Sequence, residues 1–411
     1  MKIYIRTLLI LVLEIIIIAC EAKTVIKPVK TIDLRNTYKE EYDVKLSEIA
    51  TDIDYIVLET KESSLISNIG NPRYNVIFSM KHILIKDGGA NILFLFKKNG
   101  DFIKKIGTIG KGPGEYIRIS DMAIIPASKI IVINDRILRK TLIYNFEGDF
   151  LRAIPLDFFQ NTVMGFHGNL LFRNAVDYRM YSDHYTFSAY NTDGKLLKKI
   201  MYKEKEKETK GIETYLGGVV HSNFILKDSL VYWEKNGFHK KDTVWSISKN
   251  YKVTPRYVID LGGERISLDR MKSPKRLTWE EQIKWNVLLE YLESDKYIFY
   301  DIMYKNDYAR EFTTKPEMIS KRVSDVDNTK KYISGKFLND IDGGLCFWPQ
   351  GKVSENKVYM MVYGSDIKDY IEKQGDDYQA LNPEAREKLL DIVKTSKVTD
   401  NPILMVVTLK E

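Results

Sequence analysis

Apolar runs along this chain are paired across tight turns, and one arrangement of them recurs. It reads NILFLFKKNGDFIKKI from Asn91 to Ile106, TLIYNFEGDFLRAI from Thr141 to Ile154, and TFSAYNTDGKLLKKI from Thr186 to Ile200. In each copy an aromatic residue (Phe96, Tyr144, Tyr190) stands four residues before a glycine (Gly100, Gly148, Gly194), and the glycines are 48 and 46 residues apart. Asn-Gly, Glu-Gly or Asp-Gly between apolar runs predicts a hairpin, because glycine accepts positive φ at little steric cost. A hairpin returning at that interval predicts the blades of a β-propeller.

The first two units share more than the hairpin. Asp87 and Asp135 each lie nine residues before the aromatic, at the end of an apolar strand (HILIKD, KIIVIND), and a glycine-rich crossing, Ile106 to Pro126, joins the units. This order resembles the NHL repeat, and more specifically the six-bladed propeller lipoproteins of Gram-negative bacteria. LSEIATDIDYIVLET (Leu46 to Thr60), FLNDIDGGLCFWP (Phe337 to Pro349) and the ending NPILMVVTLK (Asn401 to Lys410) carry the same resemblance. It implies an all-β fold, a six-bladed NHL/TolB-like β-propeller with short helical insertions, and a family mostly without assigned activity. A fourth unit, TVWSISKNYKVTPRYVIDL, keeps the rhythm but places Tyr251 where the glycine belongs. Units three and four carry Tyr181 and Phe238 in place of the aspartate.

The amino terminus bears on location. Lys2 and Arg6 precede an apolar stretch from Leu8 to Ile18, 11 residues against the roughly 20 that span a bilayer as a helix. That is the pattern of a secretion signal. It ends in Ile17-Ile18-Ala19-Cys20, which resembles a lipobox, where the cysteine is acylated and becomes the new N-terminus. The expected organisation is a signal peptide over 1–19, a polar tether over 20–42 with a short strand at Thr31 to Leu34, and the propeller over 43–411. Localisation follows as the cell envelope, lipid-anchored at the outer membrane.

Composition narrows the function classes. A formal charge of +7 in a chain with 29% charged residues is a mild excess, and interspersed charges without a recognisable motif argue against nucleic acid as partner. Cys346 has no partner once Cys20 is lipidated, so the fold depends on its core and not on disulfides. Met201 to Lys210 reads as a solvated loop. Two stretches read as helices: Thr278-x-x-Glu281 forms a capping box ahead of WEEQIKWNVLLEYLES, and Asn382 caps a helix with Pro383 at its first position.

Local catalytic motifs do not stand out. The histidines (His82, His167, His184, His221, His239) are scattered without HExxH spacing, no GxSxG elbow occurs, and Gly110 to Gly114 lacks the spacing of a phosphate loop. Asn339 to Gly344 resembles the start of a calcium loop, but Gly344 and Gly351 stand where ligands are needed, so an Asx turn is the better expectation. Asp87 and Asp135 are expected to accept backbone N–H bonds at the strand end. Neither a cofactor nor a metal is expected.

What remains is a binding surface at the channel mouth, where aromatic faces and polar groups suit sugars or peptides. Arg118, Arg173, Trp233, Asp342 and Trp348 are the candidate ligand-binding residues. The expected function is a noncatalytic module that binds a glycan, peptide or protein ligand and is held to the membrane by its N-terminal lipid. The alternative is a propeller-type lyase or hydrolase acting on glycans or peptides.

Overall fold

In a computed structural model of the chain, the residues described are 29–156, 160–174, 187–200, 223–226, 228–233, 242–263, 278–282, 286–305, 307–315, 317–324, 335–375 and 378–411. Thr31–Glu411 forms one unit. Within it, six antiparallel sheets follow one another as blades. Blade 1 comprises Val76–Phe78, His82–Asp87, Ile92–Lys97 and Phe102–Ile106; blade 2 comprises Asp121–Ile125, Ile130–Asp135, Lys140–Asn145 and Phe150–Pro155. Blade 3 is built from Gln160–Phe166, Asn169–Asn174, Phe187–Tyr190 and Leu196–Ile200, and blade 4 from Asn223–Leu226, Ser229–Trp233, Asp242–Ile247 and Val253–Asp260. Blade 5 contains Asn286–Glu293, Tyr297–Tyr304, Asp307–Thr314 and Ile319–Val323. Blade 6 takes Gly351–Lys352, Lys357–Val362 and Ile403–Leu409 from the C-terminal part and its fourth strand, Ala50–Val57, from the N-terminal part.

That last pairing closes the ring, because Ile403 lies opposite Val57 and Leu409 opposite Ala50. Six apolar clusters fill the spaces between neighbouring blades. On blade 1, Ile83, Ile85, Phe94 and Phe96 pack toward blade 6 with Leu404 and Val406, while Leu84, Leu93 and Leu95 pack toward blade 2 with Ile131, Ile133 and Tyr144. Strands buried on both faces need apolar side chains at every position, so the sequence shows continuous runs and not alternation. At roughly 1.5–3 kcal/mol for each fully buried Ile, Leu or Phe, these interfaces hold the ring together.

The repeat glycines are where the hairpins need them. Gly100, Gly148 and Gly194 have φ of 96°, 78° and 87°, and they sit in the third-to-fourth strand turns of three different blades. Phe96 and Tyr144 occupy equivalent places, each beside a register shift in the third strand and each packed toward the preceding blade. Tyr251, in the glycine position of blade 4, adopts φ 60° itself. It is held there by its amide bonding the Ser248 carbonyl at 2.8 Å and by its hydroxyl accepting from Asn169 at 3.1 Å.

Two expectations need correction. The capping box at Thr278 forms, with Glu281 N–H bonding the Thr278 hydroxyl and Thr278 N–H bonding the Glu281 carboxylate, but the helix spans only Trp279–Gln282. Asn286–Glu293 is instead the first strand of blade 5, paired throughout with Tyr297–Tyr304. A register shift between Leu288 and Glu290 puts Leu288 and Tyr291 on one face, three residues apart, and this mimics helical spacing. The second correction concerns 30–42, expected within the tether. Lys30–Asp33 adds a fifth strand to blade 4, and Glu41–Tyr42 pairs in parallel with blade 5, so the propeller fold begins before residue 43. Ile32 and Leu34 are buried in the interface between those blades.

Blade 6 carries two helices between its second and third strands: α1, Gly364–Gln374, and α2, Pro383–Thr395. The expected cap of α2 is present, with the Asn382 side chain accepting the Ala385 N–H at 3.1 Å. Ile367 and Leu389 anchor the pair on the cluster between blades 5 and 6. Among the described residues no helix is long and apolar enough to cross a membrane.

Candidate functional site at one end of the channel

Each blade is an antiparallel meander, so the crossing that enters its first strand lies beside the end of its second strand. The two repeat aspartates tie these segments together. Asp87, fully buried, accepts N–H bonds from Ser67 at 2.6 Å, Gly89 at 2.8 Å and Ala90 at 2.9 Å. Asp135, equally buried, accepts from Ile117 at 2.6 Å, Arg118 at 3.3 Å, Ile137 at 2.9 Å and Leu138 at 3.0 Å. Each carboxylate therefore fastens an incoming crossing to its own turn, the structural role expected from sequence.

Around Arg118 the fastening is doubled. From blade 1, Asn91 donates to the Ile117 carbonyl at 3.0 Å and accepts the Ile119 N–H at 2.9 Å. The backbone on both sides of Arg118 is thus clamped by turns from two blades, while its side chain is exposed. Lys86, half-buried on the second strand of blade 1, and Asp121, at the start of the first strand of blade 2, are its neighbours. Burial lowers the Lys86 ammonium pKa; Asp121 opposes that shift and Arg118 reinforces it. Burial pushes the Asp121 carboxyl up to about 7, although the amides of Val163 and Met122 and the charge of Lys86 pull it down. The Val163 N–H bond, at 2.7 Å, links the first strands of blades 2 and 3.

A second polar cluster joins three blades. The turn Pro72–Asn75, which leads into blade 1, sends Arg73 to Asp301 of blade 5 at 2.7 Å and Tyr74 to Glu290 of blade 5 at 2.8 Å. Asp301 also accepts from Trp348 Nε1 at 2.8 Å and from Arg310 at 3.3 Å. Burial works against the Arg73 charge, but Asp301 and Glu290 outweigh it and its pKa is raised. The Tyr74 hydroxyl is pushed up by burial and by Glu290. Arg73 is 12% exposed at its side chain and Asp301 4%, so this pair serves as a buried latch, with Tyr74 at the water edge.

The residues selected from sequence separate under this geometry. Arg118 presents a solvent-facing guanidinium on a rigid crossing. Trp348 is buried, stacked on Phe337 at 5.3 Å and committed to Asp301. Asp342 is fully buried and accepts from Asn339, Gly344 N–H and Tyr55, which makes it the expected Asx turn; burial raises its pKa. Arg173 and Trp233 lie at the ends of second strands, and their side chains fall outside the described residues, as do Cys20, His184, His221 and His239. Sequence reasoning missed Lys86, Asp121, Arg73, Tyr74 and Glu290. The available signal was a lone lysine in an otherwise apolar strand, HILIKD. Among the described residues no group of His, Cys, Asp and Glu is arranged to hold a metal ion.

The ring has counterparts among solved structures. A protein from Bacteroides fragilis described as a "putative exported protein" is 19% identical, with a TM-score of 0.67 and coverage of 93% of this chain and 100% of that one. A member of the DUF4221 family from Bacteroides vulgatus is 11% identical, with a TM-score of 0.48 over 90% of this chain and 99% of that one. A catalytically inactive virginiamycin B lyase from Staphylococcus aureus with quinupristin is 12% identical, with a TM-score of 0.36 over 68% and 75% of the two chains. No curated protein matches this chain. With residues 29–408 matched, the chain belongs to the family described as "Domain of unknown function (DUF4934)".

Proposed function

We propose that this propeller is a noncatalytic binding module tethered on the extracytoplasmic side of the membrane, taking a glycan, peptide or protein ligand at the channel end described above. The observation that carries the reading is the double clamp around Arg118. Recognition groups on loops fixed by a rigid scaffold bind without paying to order themselves. The exported description of the Bacteroides fragilis protein supports an extracytoplasmic location. On this reading Met1–Ala19 is a cleaved signal peptide, and Cys20 carries the acyl chains that hold the protein at the outer membrane of a Gram-negative cell. Cys20→Ala is expected to move the protein from the membrane fraction to the soluble one, because two or more chains anchor stably. A signal-cleaved variant that stays with the membrane refutes the anchor.

Ligand binding is tested by titrating saccharide and peptide arrays with wild type and with Tyr74→Ala, which removes the aromatic at the water edge. Retained wild-type affinity for every bound probe excludes Tyr74 from the binding surface, and failure of wild type to bind any probe refutes the binding module. A propeller-type lyase or hydrolase is the second reading, and Asp121 favours it: a carboxyl poised near 7 suits proton transfer at neutral pH. Under that reading Asp121→Asn abolishes turnover of a bound probe and leaves its binding intact.

A further inference from the structure

We propose that Lys86 and Arg118 together form a site for a carboxylate group on the ligand, at the channel end between blades 1 and 2. The proposal rests on the binding reading above and names the chemistry of what is bound. Among the described residues, neither side chain has a hydrogen bond or an ion pair. For Arg118 that is notable because the backbone around it is bonded by Asp135, at the amides of Ile117 and Arg118, and by Asn91, at the Ile117 carbonyl and the Ile119 amide. The backbone that carries the guanidinium is therefore held in position with the fork unused, and a planar fork matches a carboxylate in two parallel bonds.

Lys86 is the stronger indication. It stands in a strand whose neighbours Ile83, Leu84 and Ile85 are fully buried, and its own side chain is half-buried. An ammonium taken out of water without a partner is costly, and burial already lowers its pKa here. Asp121, the acid whose charge acts on it, is engaged by the Val163 N–H at 2.7 Å and forms no ion pair with Lys86. The two cations also oppose each other, since Arg118 lowers the Lys86 pKa. A bound anion removes both penalties. Once ionised, above about pH 7, Asp121 selects the kind of anion: a nearby carboxylate repels a dianion more than a monoanion, which favours a carboxylate over phosphate.

The carboxylate has two possible sources, an acidic saccharide or a peptide terminus, and matched probe pairs separate them. The full chain in detergent is titrated with oligogalacturonate and its methyl ester, and with trialanine and its C-terminal amide. Inorganic phosphate serves as competitor at about pH 8, where it is mainly the dianion and Asp121 is ionised. In the pair that corresponds to the ligand, the acid is expected to bind about 10- to 100-fold more tightly than the neutral form, the range expected for losing charge-assisted bonds. Arg118→Ala and Lys86→Met should each bring the acid down to the neutral form's affinity while leaving the neutral form's affinity and the melting temperature unchanged.

If acid and neutral forms bind alike, or the variants bind the acid as wild type does, the carboxylate site is wrong while the binding module stands. Variants that lose both forms equally also overturn it, since the loss is then not one of charge recognition. Phosphate that competes as well as the acid refutes the preference for a monoanion. Failure of every probe to bind wild type overturns this proposal together with the binding reading beneath it.

Discussion

Replacing Asp135 by alanine tests whether the repeat aspartate is a structural clamp. Its carboxylate is fully buried and accepts four backbone N–H bonds, from Ile117, Arg118, Ile137 and Leu138. Ile137 and Arg118 are exposed residues, so water replaces part of what their amides lose. Ile117 and Leu138 are less accessible, and their amides are left without an acceptor. At about 1.5–3 kcal/mol for each bond to a charged acceptor, two unreplaced bonds cost roughly 3–6 kcal/mol. That lies at the upper end of single-substitution effects. With an m-value of about 3 kcal/mol/M, the urea midpoint should fall by roughly 1–2 M with m unchanged. Asp135→Asn retains one acceptor oxygen and should fall between the two. Asp193→Ala, which removes a 74%-exposed carboxylate, is the control and should stay within about 0.5 kcal/mol. A midpoint for Asp135→Ala within about 0.3 M of wild type would refute the clamp.

Two further outcomes follow from the geometry. Gly168→Ala places a side chain at φ 79° in open space, whereas Gly100→Ala at φ 96° drives its Cβ into the Val57 carbonyl of the ring-closing strand. The first should cost about 1 kcal/mol and the second about 1–3 kcal/mol more, read from urea midpoints; equal losses would mean that hairpin strain, and not ring closure, sets the cost. Glu311, fully buried where Thr37 and Tyr304 bond its oxygens, has its carboxyl pushed by burial from 4.5 up to about 7, with Arg322 pulling it down. The native state therefore holds this proton more tightly than the unfolded chain. Its contribution is fully present below pH 4.5 and is lost as pH rises through 7, by about 3 kcal/mol. Glu311→Gln should flatten that slope in stability measured from pH 5 to 8, and parallel profiles for the two proteins would exclude Glu311 as its source.

Local sequence determined the repeating parts of this protein. The aromatic-to-glycine step at Phe96, Tyr144 and Tyr190 is a property of four or five consecutive residues, because a positive-φ turn and two flanking apolar runs suffice to set a hairpin. The strand-end aspartates were legible for the same reason, as was the Asn382 cap. Where a local rule met a tertiary demand, the tertiary demand prevailed. Asn286–Glu293 reads as a helix but pairs as the first strand of blade 5, since its ladder with Tyr297–Tyr304 and burial on both faces outweigh intrinsic propensity. Tyr251 takes a glycine's conformation because Phe166 and Asn169 hold its ring.

The candidate site was mostly illegible for a related reason. Arg73 meets Asp301 across 228 positions of sequence, and Lys86 meets Asp121 and Arg118 only because two blades stand side by side. No spacing rule links such residues. Their charge, burial and partners depend on how the ring closes, and closure is achieved by pairing Ala50–Val57 with Ile403–Leu409 at opposite ends of the folded region.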